Sequence, residues 1–365
     1  MMARALLTAL CTGLITCLFA HPAACQRATD TTRSMARRDF HIESEPGISL
    51  FVREVKLASP LRGDAIPLVL VHGARVPGLA SFDLPVPNGS LAEDLARAGY
   101  PVYIMDVRGY GYSTRPPEMS QPRHANAPLI RSTEALSDIA AVVDWVRTHR
   151  GVEKVALLGW ATGGSWCGNY AALHPDRVRD VIFLNTLYGG SDTHPSIGHG
   201  SSLEDPEHPG RFNAGDVGAY RFNTAESLFG SWDRSIPIDD KAAWRDPEIA
   251  AAYATAALES DSTSGERTPP SFRAPAGALE DSFYQAIGRR LWDASAIRSR
   301  ALILRSELDF WSREADQRTL QQELVHAREV RSVTIPGATH YVFLDRSEHG
   351  RTRLIREVLD FLGAG

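Results

Sequence analysis

VALLGWATGGSWCG, residues 155–168, is the stretch on which the fold turns. VALL is an apolar run with strand character, and SWCGNYAALHP beyond it suits a helix that stops at Pro175. Between them, Gly159-Trp160-Ala161-Thr162-Gly163 has the G-x-S-x-G spacing of a strained strand-to-helix turn that lifts a nucleophile above a sheet. Small residues two before and two after the lifted position let strand and helix approach closely. The helix that follows aims its dipole and its free N–H groups at the same point. The middle place holds Ala161, whose methyl group has no lone pair with which to attack.

Outward from this stretch the chain alternates strands with helices. PLVLVHG (67–73), PVYIMDVRG (101–109), KVALLG (154–159) and DVIFLN (180–185) are apolar runs expected of central strands buried on both faces, and ALILR (301–305) and VRSVTIP (330–336) supply the last two strands. ISLFVREVKL (48–57) alternates and suits an edge strand. SLAEDLARAG (90–99) carries the capping pair Ser90 and Glu93, with Gly99 at its stop. ALSDIAAVVDWVRTHRG (135–151) places Leu136, Ile139, Val143 and Val146 on one helical face. TRLIREVLDFL (352–362) closes the chain as an amphipathic helix. This order implies an α/β class with a mostly parallel, doubly wound sheet.

Residues 187–296 break the pattern. They lack buried strand runs, are rich in Gly, Pro, Ser and Asp, and carry many aromatics, Trp232 among them. A cap of helices and loops over the C-terminal edge of the sheet is expected there. The expected organisation is a first core part at 40–186, the cap at 187–296 and a second core part at 297–365.

The N-terminus reads as a targeting segment. Arg4, the apolar run 5–20 and the small residues of HPAACQ (21–26) follow the order of a secretory signal, expected to occupy 1–25. Lipidation at Cys25 is the alternative for that segment. The apolar run is too short for a stable membrane span, which takes about 20 residues. Residues 26–39 are polar and aperiodic and read as a flexible leader, with structure expected from Phe40. Export to a secreted or periplasmic location follows as an expectation. Of four cysteines, Cys11, Cys17 and Cys25 fall in this segment, and Cys167 reads as a buried structural thiol. A net charge of -5 argues against a nucleic-acid partner. No H-E-x-x-H or C-x-x-C cluster calls for a metal, and no cofactor is expected. Composition carries no signal for oligomeric state.

Two further stretches supply chemistry. SELDFWS follows the strand ALILR and puts Asp309 in the loop where an acid can orient a histidine, with Glu307 as the alternative. PGATH then puts His340 after the last strand, where it can accept and return a proton. The chain order is nucleophile, acid, base. VHGARVPG (71–78) follows the first central strand. The backbone N–H of Ala74 is expected to face a developing oxyanion, with that of Thr162 as the second donor. His72 itself reads as structural. Trp160, Trp232 and Trp311 are the expected substrate-facing aromatics.

HG (72–73), DVRGYGYS (106–113), GWATGG (159–164), SELD (306–309) and PGATH (336–340) together resemble the α/β-hydrolase fold family over roughly residues 45–365. The resemblance implies Ala161 at the nucleophile position, Asp309 as acid and His340 as base. DVRGYGYSTRP is similar to epoxide-hydrolase-like members. Members with an aspartate nucleophile usually follow it with Trp, whereas Thr162 follows here and Trp160 precedes, which favours an original serine. The implied activity is cleavage of a small-molecule carboxylic ester or lactone, with at most a small residual rate expected of this chain because Ala161 stands in place of the serine. The alternatives are a natural ligand-binding homologue, an epoxide hydrolase or dehalogenase with Asp at 161, and attack by Thr162, Ser165 or Cys167.

Overall fold

The structure, a computed structural model, describes residues 34–59 and 65–363. The expected signal at 1–25, with Cys11, Cys17 and Cys25, lies outside the described residues. Ten strands are present among those described: β1 (Met35–Glu45), β2 (Ile48–Leu57), β3 (Leu68–Val71), β4 (Val102–Met105), β5 (Val155–Trp160), β6 (Val178–Leu184), β7 (Tyr220–Thr224), β8 (Ser271–Pro275), β9 (Arg300–Leu308) and β10 (Glu329–Thr339). Eight form one sheet in the order β1-β2-β4-β3-β5-β6-β9-β10. β1 and β2 run antiparallel to their neighbours, and every other pair is parallel.

Every residue of β3, β4 and β5 is buried, as continuous apolar runs require. Successive side chains of a strand serve opposite faces. Leu158 and Ile182 join Leu91, Leu95, Leu354 and Val358 of the helices Leu91–Arg97 and Arg351–Gly363. Leu157 and Phe183 join Ile139, Val142, Val143 and Val146 of the helix Ser132–Arg150 on the other side. Each such side chain, fully buried, contributes about 1.5–3 kcal/mol. Ser90 Oγ accepts from Glu93 N at 2.9 Å, so the first half of the expected capping pair forms. Glu93 itself turns to Arg37 and Arg97.

Two expectations need correction. Among the described residues a strand already runs from Met35, ahead of Phe40, so the end of the expected leader is strand and β2 is not an edge. MARRDFHIESE has few apolar residues because it is itself the edge, and its charged outer positions guard unpaired backbone. The segment between β6 and β9 is not only helix and loop. β7 and β8 form an antiparallel pair there, five residues each, with Arg221 opposite Ala274. The helices Ala225–Ser235 and Pro247–Glu259 lie between these two strands in sequence, and Gly277–Ala286 follows them.

Two registers place the site. Val71 pairs with Gly159, so the loop after β3 emerges beside the turn after β5. At the other end β10 slips against β9 between Ile335 and Thr339, and pairing resumes at Thr339 with Leu308. Asp309 and His340 are the next residue on each strand. Glu307 serves the slip, its Oε2 accepting from Gly337 N at 2.7 Å.

Candidate active site

Ala161 sits at the expected sharp turn with φ 53° and ψ −118°, outside the ordinary regions for an L-residue. Strain of this kind costs on the order of 1–3 kcal/mol and persists only where surroundings enforce it. Ala161 N donates to Leu184 O at 2.8 Å, and Gly164 N donates to Ala161 O at 3.1 Å. The glycines explain themselves by contact. A Cβ on Gly159 would lie 2.3 Å from Gly163 O, and one on Gly163 would lie 2.4 Å from both Val71 O and His72 O. We expect Gly163→Ala to destabilise the fold by about 1–3 kcal/mol or more, because rigid backbone must yield. Urea denaturation measures this, and an unchanged midpoint would contradict the close approach.

His340 and Asp309 meet as the register demands, Nδ1 to Oδ1 at 2.7 Å. Asp309 also accepts from Trp311 N and Ser312 N, both at 2.9 Å, and from Ser312 Oγ. Burial pushes the Asp309 carboxyl up. The charge and hydrogen bond of His340, with Ser312 Oγ and Trp311 N–H, outweigh it and hold the group below the ordinary carboxylate range. An ionised Asp309 accepts the Nδ1 hydrogen, which makes Nε2 the proton acceptor of the ring. The His340 carbonyl is held by Trp160 Nε1 at 3.2 Å and Asn185 Nδ2 at 3.1 Å. The Trp160 ring packs against the imidazole at 5.0 Å. Asn185 escaped the sequence reading. It too takes a positive φ, 53°, and ties β6, β9 and His340 together through Ser306.

The loop after β3 is fixed from both sides. Gly73 lies against the turn, where a Cβ on it would meet Ala161 Cβ at 3.4 Å. His72 Nε2 accepts from Val107 N at 3.1 Å, so Nδ1 carries the hydrogen and donates it to Gly73 O at 2.7 Å. That bond orients the Gly73–Ala74 peptide and with it the Ala74 N–H. Tyr110 Oη and Arg221 Nη2 donate to Ala74 O at 3.0 and 3.2 Å and fix the next peptide. Thr162 begins the helix Thr162–Leu173, where the first N–H groups have no partner within the helix. The DVRGYGYS motif braces the same loop: Asp106 accepts from Gly78 N at 2.7 Å and Tyr112 N at 3.0 Å.

His72 is wholly buried, which pushes its imidazole below the ordinary range. A histidine lowered on folding contributes stability in full above its unfolded pKa of about 6.5, and loses it as pH falls through the folded value. We expect His72→Gln to lower the urea midpoint at pH 7.5, and the gap from the parent chain to narrow at pH 5. A gap that stays constant would contradict a buried neutral His72.

Other expected residues land elsewhere. Trp232 is fully buried, stacked on Tyr341 at 4.8 Å with Nε1 donating to Asp345 Oδ1 at 2.8 Å. It supports the loop of His340 and does not face substrate, because an amphipathic helix turned its large ring inward. Trp311 is half-buried, its ring 6.3 Å from that of His340. His194 is buried and bonds Trp311 O through Nε2 at 2.9 Å. The other candidate nucleophiles are engaged: Thr162 Oγ1 with Ser282 Oγ at 3.2 Å, and Ser165 Oγ with Gln285 Nε2 at 2.8 Å and Trp292 Nε1 at 3.0 Å. Burial pushes the Cys167 thiol up and leaves it inert. A hollow of about 620 Å³ beside Pro77 and Tyr112 includes none of the residues at 161, 309 or 340. Its Asp83 is taken by Arg37, Arg53 and Ser90.

A parallel sheet with a strained turn after β5, an acid after β9 and a histidine after β10 defines a protein of the α/β-hydrolase type. The family model described as alpha/beta hydrolase fold matches residues 66–347, and the chain belongs to that family. It is 30% identical over 127 residues to the (lyso)-N-acylphosphatidylethanolamine lipase of Homo sapiens, covering 35% of this chain and 32% of the relative. It is 32% identical over 103 residues to bifunctional epoxide hydrolase 2 of Sus scrofa, covering 28% of this chain and 16% of the relative. These alignments thus span a third or less of the relatives' lengths. Est816, described as an N-acyl homoserine lactone degrading enzyme, superposes with a TM-score of 0.53 at 18% identity, covering 86% of this chain and 98% of its own. A thermophilic esterase from Thermogutta terrifontis gives 0.54 at 16% identity, covering 90% and 98%.

Proposed function

We propose that this is the site of a carboxylic ester or lactone hydrolase, complete but for its nucleophile. The observation that carries the reading is the Asp309–His340 pair at 2.7 Å, held beside a turn whose central residue keeps φ 53°. With serine at 161, Oγ would add to the substrate carbonyl while His340 Nε2 took its proton. Asp309 would stabilise the resulting imidazolium. The N–H groups of Thr162 and Ala74 would hold the oxyanion, each worth about 3–4 kcal/mol in the transition state. His340 would return the proton to the leaving alcohol, and water would then release the acyl group by the same steps. The scheme needs no metal or cofactor.

With a methyl group at 161, the chain as it stands binds such a substrate and does not form the acyl intermediate. The relatives named as esterase, lipase and lactone-degrading enzyme support the reaction class. The similarity to an epoxide hydrolase favours a second reading, in which an aspartate belongs at 161. Ala161→Ser and Ala161→Asp, each assayed on p-nitrophenyl butyrate and on styrene oxide, separate the two. Ester turnover by the first alone supports the serine reading, and epoxide turnover by the second alone overturns it. The N-terminal apolar segment 5–20 supports export of the protein.

A further inference from the structure

We propose that Arg75 and Arg221 form a carboxylate-recognition site beside the oxyanion loop, so that the substrate carries a negative charge as well as an ester. This deepens the hydrolase reading and rests on it for the reaction, though not for the binding.

Four sheltered arginines pair with carboxylates, Arg108 with Asp138, Arg273 with Asp261, Arg300 with Asp180 and Arg313 with Asp316, whereas Arg115 gives its guanidinium to the carbonyls of Gly111 and Ser260. Among the described residues, neither Arg75 nor Arg221 forms such an ion pair. Arg75, next in sequence to Ala74, gives its Nε to Asn223 Oδ1 at 2.8 Å and its Nη2 to Ser227 Oγ at 2.6 Å. Both partners are neutral and belong to the segment between β6 and β9. Arg221 reaches only the neutral Ala74 O, and its buried Nε has no hydrogen-bond partner. Burial, with the nearby charge of Arg75, pushes the Arg221 guanidinium down to about 10, against the opposing pull of Tyr110. It is therefore still cationic at neutral pH. A sheltered cation without a counter-ion is costly, and an arriving anion relieves that cost. An arginine fork matches the two oxygens of a carboxylate.

Position ties this pair to the reaction. Arg221 touches the residue whose N–H faces the oxyanion, and the charge of Arg75 is felt at the hydroxyls of Tyr253 and Tyr341. Tyr341 packs against the His340 ring at 5.3 Å. Ala161 and His340 are each only 5% exposed, so a substrate displaces covering groups in order to enter. The strand that carries Arg221 packs on the loop of Ala74 and Arg75 through Arg221 and Asn223.

The test uses the chain as it exists, which binds an ester without cleaving it. Isothermal titration compares monomethyl glutarate with dimethyl glutarate, which differ in one carboxylate. The half-ester is expected to bind at least tenfold more tightly, and Arg221→Gln to reduce that preference to under threefold. Arg75→Gln, on a half-buried residue, gives the same reading should Arg221→Gln not fold. Equal binding of the two ligands, or a preference that survives substitution, overturns the proposal. The same ratio in kcat/KM is then read in the Ala161→Ser protein. If that protein cleaves neither ester while the binding preference persists, the hydrolase reading falls and the carboxylate site stands. If it cleaves the diester with no preference for the half-ester, the carboxylate site falls and the hydrolase reading stands.

Discussion

Ala161→Ser is expected to raise kcat on short-chain p-nitrophenyl esters by about 10⁴–10⁶ over the parent chain. The size follows from what is already in place. Removing the serine from a working triad costs about that much, and its return restores it only if the partners are correctly set. Here the acid holds the base at 2.7 Å, and the turn holds the residue at 161 in the strained conformation that a serine would have to share. The substitution adds one oxygen to the Ala161 methyl group and changes nothing else in the turn. The parent chain retains only what an oxyanion cradle and binding supply. Stopped-flow release of p-nitrophenol should also show a burst, because the acyl intermediate can now form. Adding His340→Ala to that variant should remove the gain. A protein that folds, keeps the Asp309–His340 bond and gains less than tenfold would refute the serine assignment.

The parts of this site that were legible in the sequence share a property: each is written in local spacing or in chain order. The turn shows because Gly159 and Gly163 flank it at fixed distances, and contact makes those glycines obligatory. Asp309 and His340 show because each is the first residue beyond a strand that ends at the same edge of the sheet. Choosing Asp309 over Glu307 took the register slip, since that slip uses up Glu307. What stayed hidden depends on partners far along the chain. Tyr110 and Arg221 fix the Ala74 carbonyl from two distant segments, and Val107 sets the tautomer with which His72 holds Gly73 O. Asn185 looks like an ordinary strand end until Ser306 and His340 are brought to it. Trp232 was assigned to substrate on aromatic density, which says that a ring will be covered but not by what. Residues 35–39, the start of β1, look like leader because an edge strand rich in arginine resembles a polar tail.

Asp309→Asn, introduced together with Ala161→Ser, is expected to lower kcat by about 10⁴ relative to Ala161→Ser alone, with KM nearly unchanged. The reason lies in the donors that surround this carboxylate. One oxygen accepts from His340 Nδ1 and Trp311 N, and the other from Ser312 N and Ser312 Oγ. An amide has a single oxygen to offer, so one of these two positions becomes an NH₂ group. If the amide nitrogen faces Ser312, it meets a backbone N–H that can only donate, a mismatch of about 1–3 kcal/mol. The alternative orientation turns the nitrogen toward Trp311 and His340. There the imidazole can relieve the conflict by accepting at Nδ1, which moves its hydrogen to Nε2. The ring then has nothing with which to take a proton from a serine. Either orientation also removes the negative charge that stabilises the imidazolium. Imidazole ¹⁵N shifts of His340 would reveal the tautomer directly, and the parent chain can serve, since no turnover is needed. Retention of an Nδ1–H ring together with a loss of kcat below tenfold would mean that Asp309 supports the loop and does not orient the base.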